Sequence, residues 1–196
     1  MSKKPVVRNE SAVAAGRPRD LRLHDAILAA TRGLVIENGY IGLSLAAVAE
    51  GAGTTTAAIY RRWSGKAELV HEAIFPTEAS APRHATGDRY VDIQEMVNAA
   101  SEMFSRPEVR IALPGLIADT LANPELHTRM FGRLAERFYS GQGSAVDHAA
   151  HRDFPRLIEA IAGTAMFHVI ARPGAVLDEQ WKAEMTNMLV NGWRPQ

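Results

Sequence analysis

The sequence predicts an all-α fold, in which a small N-terminal domain of three helices joins a larger C-terminal helical bundle, with about nine helices in total. Alanine recurs throughout and aromatic residues make up only 7% of the chain, which favours helices over a β-rich sandwich. Apolar residues recur at helical spacing along most of the 196 residues, and no run shows a convincing alternation of apolar and polar residues. A hydrophobic fraction of 46% is enough for a packed core.

The composition narrows the possible classes of protein. The chain has no cysteine, which excludes disulfides, thiolate metal sites and cysteine nucleophiles and fits a reducing compartment. Residues 1–19 lack the apolar stretch of a signal peptide, and no run approaches the ~18 apolar residues of a membrane-spanning helix. We therefore expect a cytoplasmic protein without a membrane partner.

Three segments follow one another along the chain. We expect a flexible basic arm over residues 1–20, because this stretch is rich in small and basic residues and shows no periodicity. Residues 21–66 hold the small helical domain, and residues 67–196 hold the larger one. The first helix is predicted over His24–Asn38 and ends at Gly39, because glycine readily takes the left-handed conformation that terminates a helix.

Two short helices complete the small domain. Ser44 is a good N-cap for a helix over Leu45–Gly51. Gly53 permits a tight turn, after which a third helix is predicted over about Thr55–Arg62. Gly65 breaks this helix, and a fourth helix begins directly after it.

The larger domain is predicted to be helical throughout. We expect a loop or a broken continuation of the fourth helix between Pro76 and Pro82, and a kink where Pro114 interrupts its helix. The expected helices are, in order, Arg89–Ser105, Pro107–Ala122, a segment that Asn123 caps, Pro155–Ala171 and Asp178–Gly192.

Charge is distributed unevenly along the chain. Although the formal net charge is zero, the stretch Met1–Lys66 contains ten lysines and arginines against five aspartates and glutamates. This part is therefore basic by five charges, and the remainder is acidic by the same amount. A basic end on an acidic body is typical of a protein that docks one end on phosphate.

Three short helices with a tight glycine turn between the second and the third are what a helix-turn-helix requires. In such a motif the second helix braces across the DNA backbone and the third enters the major groove. The outer face of the third helix, from Thr54 to Ala58, is small and hydroxylated, so it can approach base edges closely. Tyr60, Arg61 and Lys66 flank this face and suit contact with phosphates. A different interpretation is that the threonines only cap the third helix and that the arginines form a solvated face.

The stretch from His24 to Phe75 resembles the DNA-binding domain of the TetR family of bacterial regulators. The resemblance covers about a quarter of the chain. The residues that carry it are, in chain order, Ile27-Leu28-Ala29-Ala30, Gly39-Tyr40, Ser44-Leu45, Val48-Ala49, Ala52-Gly53, Ile59-Tyr60-Arg61-Arg62-Trp63 and Lys66-Ala67-Glu68-Leu69.

The resemblance implies a DNA-binding regulator and assigns roles within the motif. It implies that Trp63 packs, in place of the family's usual phenylalanine, between the helix-turn-helix and the fourth helix. Gly51, Thr54 and Ala58 depart from the family's pattern. These departures affect the expected preference for particular bases more than they affect the expected fold. The DNA contacts that we predict within the motif are Ser44, Thr54, Thr55, Thr56, Ala57, Tyr60, Arg61 and Lys66.

The N-terminal arm supplies a second DNA-binding hypothesis. Gly16-Arg17-Pro18-Arg19 is similar to the core of an AT-hook, in which arginines such as Arg17 and Arg19 lie in a narrow A·T minor groove. The alternative is an unstructured solubilising tail, and the sequence does not decide between the two.

The resemblance places the dimer interface on the last two helices, as a four-helix bundle formed with a second copy of the chain. Some of these residues must also serve the core within one chain. The candidates are Leu157, Ile158, Ile161, Ala165, Val169, Ile170, Trp181, Met185, Met188 and Leu189.

The resemblance also places an effector pocket among the middle helices. Methionine and phenylalanine side chains suit an adaptable cavity for a small apolar or aromatic effector, although the same side chains are also typical of plain core. The candidate lining residues are Met96, Met103, Phe104, Leu116, Ile117, Leu121, Met130, Phe131, Leu134 and Phe138.

Taken together, these features favour a ligand-responsive repressor that binds a palindromic, double-stranded operator as a homodimer. Two alternatives are an effector-independent architectural DNA-binding protein and, with little support, a helical-bundle enzyme, since no HExxH, GxSxG, GxGxxG or P-loop motif occurs. His148 and His151 have a spacing that metal ligands can use, but incidental loop histidines are the better interpretation. We predict neither a metal nor a cofactor.

Overall fold

The computed structural model describes residues 17–75, 86–128, 148–172 and 174–192, with side chains from residue 21 onward and, in the C-terminal part, from residue 155 onward. No β-strand occurs in these ranges, and the prediction of an all-α fold is confirmed. A further helical turn covers residues 124–128. The helices are α1 (Arg17–Gly42), α2 (Leu45–Gly51), α3 (Thr56–Tyr60), α4 (Lys66–Ile74), α5 (Arg89–Ser105), α6 (Pro107–Ala122), α7 (His148–Ala171) and α8 (Glu179–Asn191).

Gly39 interrupts α1 where the sequence predicts a helix end. Its φ of 72° and ψ of 172° are non-helical, and the positive φ is a conformation that glycine adopts without a steric cost. The chain is thereby redirected so that the Tyr40 and Leu43 side chains enter the core. At its other end α1 begins at Arg17, seven residues before the predicted start at His24. The extension includes residues 17–20, which were expected to belong to the flexible arm, and it is too short for periodicity to detect.

The buried residues form one continuous core that runs through both parts of the chain. In the N-terminal part, α1 packs against α2, α4 and α6, and α2 packs against α3. In the C-terminal part, α5 packs against α7 and α8. Helix α6 contacts α1, α4 and α5, so it is the shared wall between the N-terminal helices and the C-terminal body.

The C-terminal helices agree closely with the predicted ones. The bounds of α5 and α6 are those predicted, and α6 continues past Pro114. Asn123 caps the following turn, because its Oδ1 accepts hydrogen bonds from the backbone N–H groups of residues 125 and 126, both at 3.1 Å. Helix α7 starts at His148, before Pro155, and α8 starts after the N-cap Asp178. The loop expected between Pro76 and Pro82 lies outside the described residues.

The packing of α3 on the rest of the N-terminal core sets a first prediction. Ile59 is completely buried, whereas Ile41 is 90% exposed. Ile59→Ala should lower the free energy of unfolding by about 2–5 kcal/mol, because the deletion leaves a cavity in a packed core. Ile41→Ala makes the same chemical change at the surface and should shift it by no more than about 0.5 kcal/mol. Urea denaturation measures both; equal losses would contradict this account of the core.

Candidate nucleic-acid interface

The turn between α2 and α3 depends on Gly53. Its φ is +62°, in the left-handed region that favours glycine. The backbone N–H of Gly53 donates to the carbonyl of Glu50 at 3.0 Å, and that of Thr54 donates to the carbonyl of Ala49 at 2.8 Å. These bonds close the turn over residues 52–55 and direct α3 away from α2, as the sequence predicts.

The two short helices are capped by hydroxyl side chains. Ser44 Oγ accepts from the N–H of Ala47 at 3.1 Å, and Thr55 Oγ1 accepts from the N–H of Ala58 at 3.2 Å. Ser44 therefore caps α2 as predicted, and Thr55 has the capping role that the sequence left open for the threonines. Both side chains are exposed, and each hydroxyl carries a proton that it can donate to a phosphate oxygen.

Helix α3 presents one face to the core and the other to solvent. Ala58 and Ile59 are buried, whereas Thr56 and Ala57 are exposed. Ala58 faces inward, where its methyl group fits the packed side of the helix. The exposed pair is small, so that base edges can come close to the backbone of α3.

Residues of the phosphate-binding type border this exposed face. The Tyr60 ring is 59% exposed, and Arg61 is exposed directly after the helix. Thr54 is half-buried in the turn before it. The Arg62 guanidinium donates from Nη1 to the carbonyl of Ala58 at 3.1 Å and so closes the C-terminal end of α3.

Trp63 fixes the position of α3 relative to the rest of the domain. Its ring is buried and stacks on His24 of α1, with ring centroids 5.2 Å apart and an interplanar angle of 22°. Its Nε1 donates to Glu72 Oε2 of α4 at 2.8 Å, and His24 Nε2 lies 3.1 Å from Glu72 Oε1. Trp63 thus lies between the motif and the fourth helix, where the resemblance places it.

The start of α4 is held by buried polar contacts. Glu68 is buried, and its Oε2 accepts from both the N–H and the hydroxyl of Ser64 at 2.8 Å. Lys66 is half-buried; its Nζ donates to the carbonyl of Tyr40 at 3.2 Å and lies 4.6 Å from the centre of the Tyr40 ring. The Lys66 ammonium keeps further donors for a phosphate.

Tyr40 extends this contact to the body. Its hydroxyl donates to Asp119 Oδ2 of α6 at 2.5 Å. Burial raises the pKa of the Tyr40 phenol above its ordinary value, and the hydrogen bond to Asp119 and the charge of that carboxylate raise it further. The phenol therefore stays protonated and remains a donor. A cleft of about 240 Å³ lies beside it, lined by residues 64–68 of the α4 start and by Asp119, Asn123 and Leu126.

The predicted effector-pocket residues are only partly brought together. Phe104 and Leu116 are buried, with three half-buried candidates packed against the same core: Met96, Met103 and Ile117. Leu121 is 74% exposed, so α6 does not place it with the other five. The candidates Met130, Phe131, Leu134 and Phe138 lie outside the described residues, as do the side chains of Arg17, Arg19, His148 and His151. Among the described residues no cluster suited to a metal ion occurs.

The predicted dimer-interface residues divide into three groups. Four are buried in the chain's own core, because they face inward where α5 packs on α7 and α8: Ile161, Ala165, Val169 and Met185. Half-buried positions are Leu157, Ile158, Trp181 and Leu189. Ile170 and Met188 are exposed. Phe167 is also exposed, at 67%, and it is not among the predicted interface residues. The signal was available, since Phe167 precedes Ile170 by one helical turn.

A glycine turn between two short capped helices, with the small outer face of the second presented to solvent, is the arrangement of a helix-turn-helix motif. Residues 27–73, about a quarter of the chain, match the family model described as bacterial regulatory proteins, tetR family. The matched segment includes α2, the turn at Gly53 and α3.

A curated relative is similar to part of the chain. The chain is 33% identical over 88 residues to the uncharacterized HTH-type transcriptional regulator YdeS of Bacillus subtilis, and the aligned part covers 45% of this chain and 43% of YdeS. The chain thus spans less than half the length of this relative. None of the helices in the described ranges has the length and apolar character needed to cross a bilayer.

Two solved structures show the same fold over most of the chain. The first is the transcriptional regulator FadR from Bacillus subtilis in complex with stearoyl-CoA, with a TM-score of 0.54 at 16% identity, covering 87% of this chain and 100% of FadR. The second is NalD, the secondary repressor of the MexAB-OprM multidrug efflux pump in Pseudomonas aeruginosa. NalD has a TM-score of 0.51 at 21% identity, covering 88% of this chain and 97% of its own.

The two threonines at the start of α3 give a test of which side chain caps the helix. Thr55→Ala should lower the free energy of unfolding by about 1 kcal/mol, because the N–H of Ala58 loses its acceptor. Thr56→Ala, at an exposed neighbour without a capping bond, should change it by less than about 0.5 kcal/mol. Thermal or urea denaturation of the two variants compares them. If Thr56→Ala were the more destabilising, the assignment of the cap would be wrong.

Proposed function

We propose that the chain is a ligand-responsive transcriptional repressor that acts in the cytoplasm and binds a palindromic operator as a homodimer. The observation that carries this proposal is the exposed face of α3, in which Thr56 and Ala57 face solvent while Ile59 and Trp63 hold the helix from behind. A short helix held rigidly by its apolar side can be inserted into a major groove without being distorted.

The residues of the motif divide into two roles on the DNA. Thr56 and Ala57 approach the bases, where methyl groups favour thymine and the threonine hydroxyl can bond to a base or a phosphate. Tyr60, Arg61 and Lys66 contact phosphates, which fix the register without selecting a sequence. The net charge of +5 over residues 1–66 supports this arrangement, because it attracts the motif to the DNA backbone.

The homodimer is supported by the apolar surface of the last two helices. Phe167 and Ile170 are exposed one turn apart on α7, and Met188 is exposed on α8. The rings of His168 and Trp181 lie 5.8 Å apart and pack α7 on α8. A two-fold pairing through this face would bury the exposed side chains, and it must separate the two α3 helices by about 34–36 Å to match one turn of DNA.

The ligand response is supported by the body and by the structural neighbours. FadR was crystallised with stearoyl-CoA, and NalD is a repressor. In this chain Met96 and Met103 of α5 are half-buried beside the core, and adaptable apolar side chains of this kind suit an apolar or aromatic effector. Such an effector would bias α4, between Trp63 and Leu69, and so change the α3 spacing by a population shift.

A selection experiment tests DNA recognition and the ligand response together. Random duplexes selected by the purified full-length protein should converge on a palindrome, because a two-fold dimer presents the same face of α3 twice. Repeating the selection with long-chain acyl-CoA esters and with a panel of aromatic drugs should identify a compound that releases the recovered duplex. Recovery of unrelated sequences would contradict specific recognition. A recovered palindrome that no compound releases, while none binds the protein, would favour the architectural alternative.

The dimer face gives a separate prediction. Phe167→Glu should produce monomers in sedimentation equilibrium and weaken binding to the full palindrome by about a hundredfold or more, because each half-site is then bound independently. Leu121→Glu is the matched control, since it adds the same charge at an exposed apolar position of α6. A Phe167→Glu protein that remains dimeric would show that another face is used.

A further inference from the structure

Tyr40 joins three elements that meet where the DNA-binding end contacts the body. It lies just after the interruption of α1 at Gly39 and is buried. Its carbonyl and ring hold Lys66, the first residue of α4, while its hydroxyl is bound to Asp119 of α6. Tyr40 and Asp119 are 79 residues apart in sequence, so this contact exists only in the folded protein.

The contact with Lys66 determines where its charge is presented. The ammonium has three donors, of which one is directed to the Tyr40 carbonyl at 3.2 Å. The Tyr40 ring, 4.6 Å from Nζ, adds a cation–π attraction. Together they restrict a flexible side chain to one orientation, which lowers the entropy that Lys66 loses when it binds a phosphate.

Helix α6 in turn fixes the position of the Tyr40 ring. A Cβ on Gly115 would lie 2.4 Å from Cδ1 of Tyr40 and 2.9 Å from Cγ, so only glycine lets the ring lie against α6 here. Asp119 is one turn further along α6 and holds the hydroxyl of the same ring. A shift of α6 along or around its axis therefore displaces Tyr40 and, through it, Lys66.

We propose that Tyr40 is a positioning residue for DNA binding, through which Gly115 and Asp119 of α6 set the orientation of the Lys66 ammonium toward a DNA phosphate. The inference rests on the proposed function, because it deepens the role of Lys66 in operator binding. Through this contact, the position of α6 in the body affects one phosphate contact directly. This effect is separate from any change in the spacing of the two α3 helices.

Asp119 provides a test in which two explanations predict opposite signs. By its charge alone, an exposed carboxylate near the DNA-binding end repels phosphate, so its removal should tighten binding. As the acceptor that holds Tyr40, it supports the Lys66 contact, so its removal should weaken binding. Asp119→Asn removes the charge and keeps an acceptor oxygen, whereas Asp119→Ala removes both.

The experiment is a double-mutant cycle on operator affinity with the full-length protein and the duplex that it selects. Asp119→Ala should weaken binding by about threefold or more in the wild-type background and have almost no effect when combined with Lys66→Met. Asp119→Asn should restore most of the affinity. Lys66→Met should itself reduce the slope of log K against log salt by about 0.9 for each copy bound, as expected for one lost phosphate contact.

Two further variants keep the result interpretable. Tyr40→Phe removes the donor of the same hydrogen bond, so it should match Asp119→Ala in effect and not add to it. Glu102→Ala removes the same charge from an exposed position of α5 and should not weaken binding. Melting temperatures of all variants separate a loss of folding from a loss of affinity.

The outcomes separate this inference from the proposed function. Equal weakening by Asp119→Ala with and without Lys66→Met, or tightening in the wild-type background, would overturn the inference while leaving the regulator intact. If the wild-type protein selects no duplex at all, the proposed function itself fails.

Discussion

The burial of Trp63 and Ile59 behind α3 is the interaction on which the rest of the structure depends. Helix α3 has only five residues, and an isolated helix of that length is not stable in water. Its direction is therefore set by tertiary contacts: Ile59 enters the N-terminal core, and Trp63 is fixed by the His24 ring and the Glu72 carboxylate. Because His24 lies on α1 and Glu72 on α4, the orientation of the exposed residues of α3 depends on both helices.

Helix α4 is held at both ends by groups from other helices. At its start the Lys66 ammonium is bound to the Tyr40 carbonyl. At its end Arg32 of α1 donates to the carbonyl of Ala73 at 3.1 Å, and the Arg106 guanidinium, just before α6, donates to the carbonyl of Ile74. These last carbonyls of a helix have no partner within it, so the arginines satisfy them and favour the negative end of the helix dipole. Helix α6 is thus joined to α4 through a polar contact as well as through the apolar core.

The N-terminal motif was predictable because its caps and its turn depend on residues that are close in sequence. The burial of residues in the C-terminal helices depends on distant residues and was not predictable in this way. A hydroxyl before α2 and a glycine at the turn are sufficient to place Ser44 and Gly53, because each acts on neighbouring residues. The division between core and surface on α7 could not be predicted in the same way. Ile161 and Phe167 are both apolar residues of one helix, and only the position of α5 decides which of them is buried. The contact of Tyr40 with Asp119 is equally non-local and has no sequence pattern that reveals it.

Helix α6 contains the clearest conflict between local preference and tertiary structure. A proline and a glycine in a helix interior are unfavourable by about 3 and 1 kcal/mol relative to alanine, yet Pro114 and Gly115 lie in the middle of α6. For Gly115 the structure gives the reason, since the Tyr40 ring occupies the space that any side chain would fill. Glycine is a poor helix former, but at this position it lets α6 approach the Tyr40 ring closely. The contact between the two elements is therefore kept at a cost in the local stability of the helix. Helix α6 is thus built around the ring that reaches both Lys66 and Asp119, and this ring is one of the contacts that join the N-terminal helices to the C-terminal body.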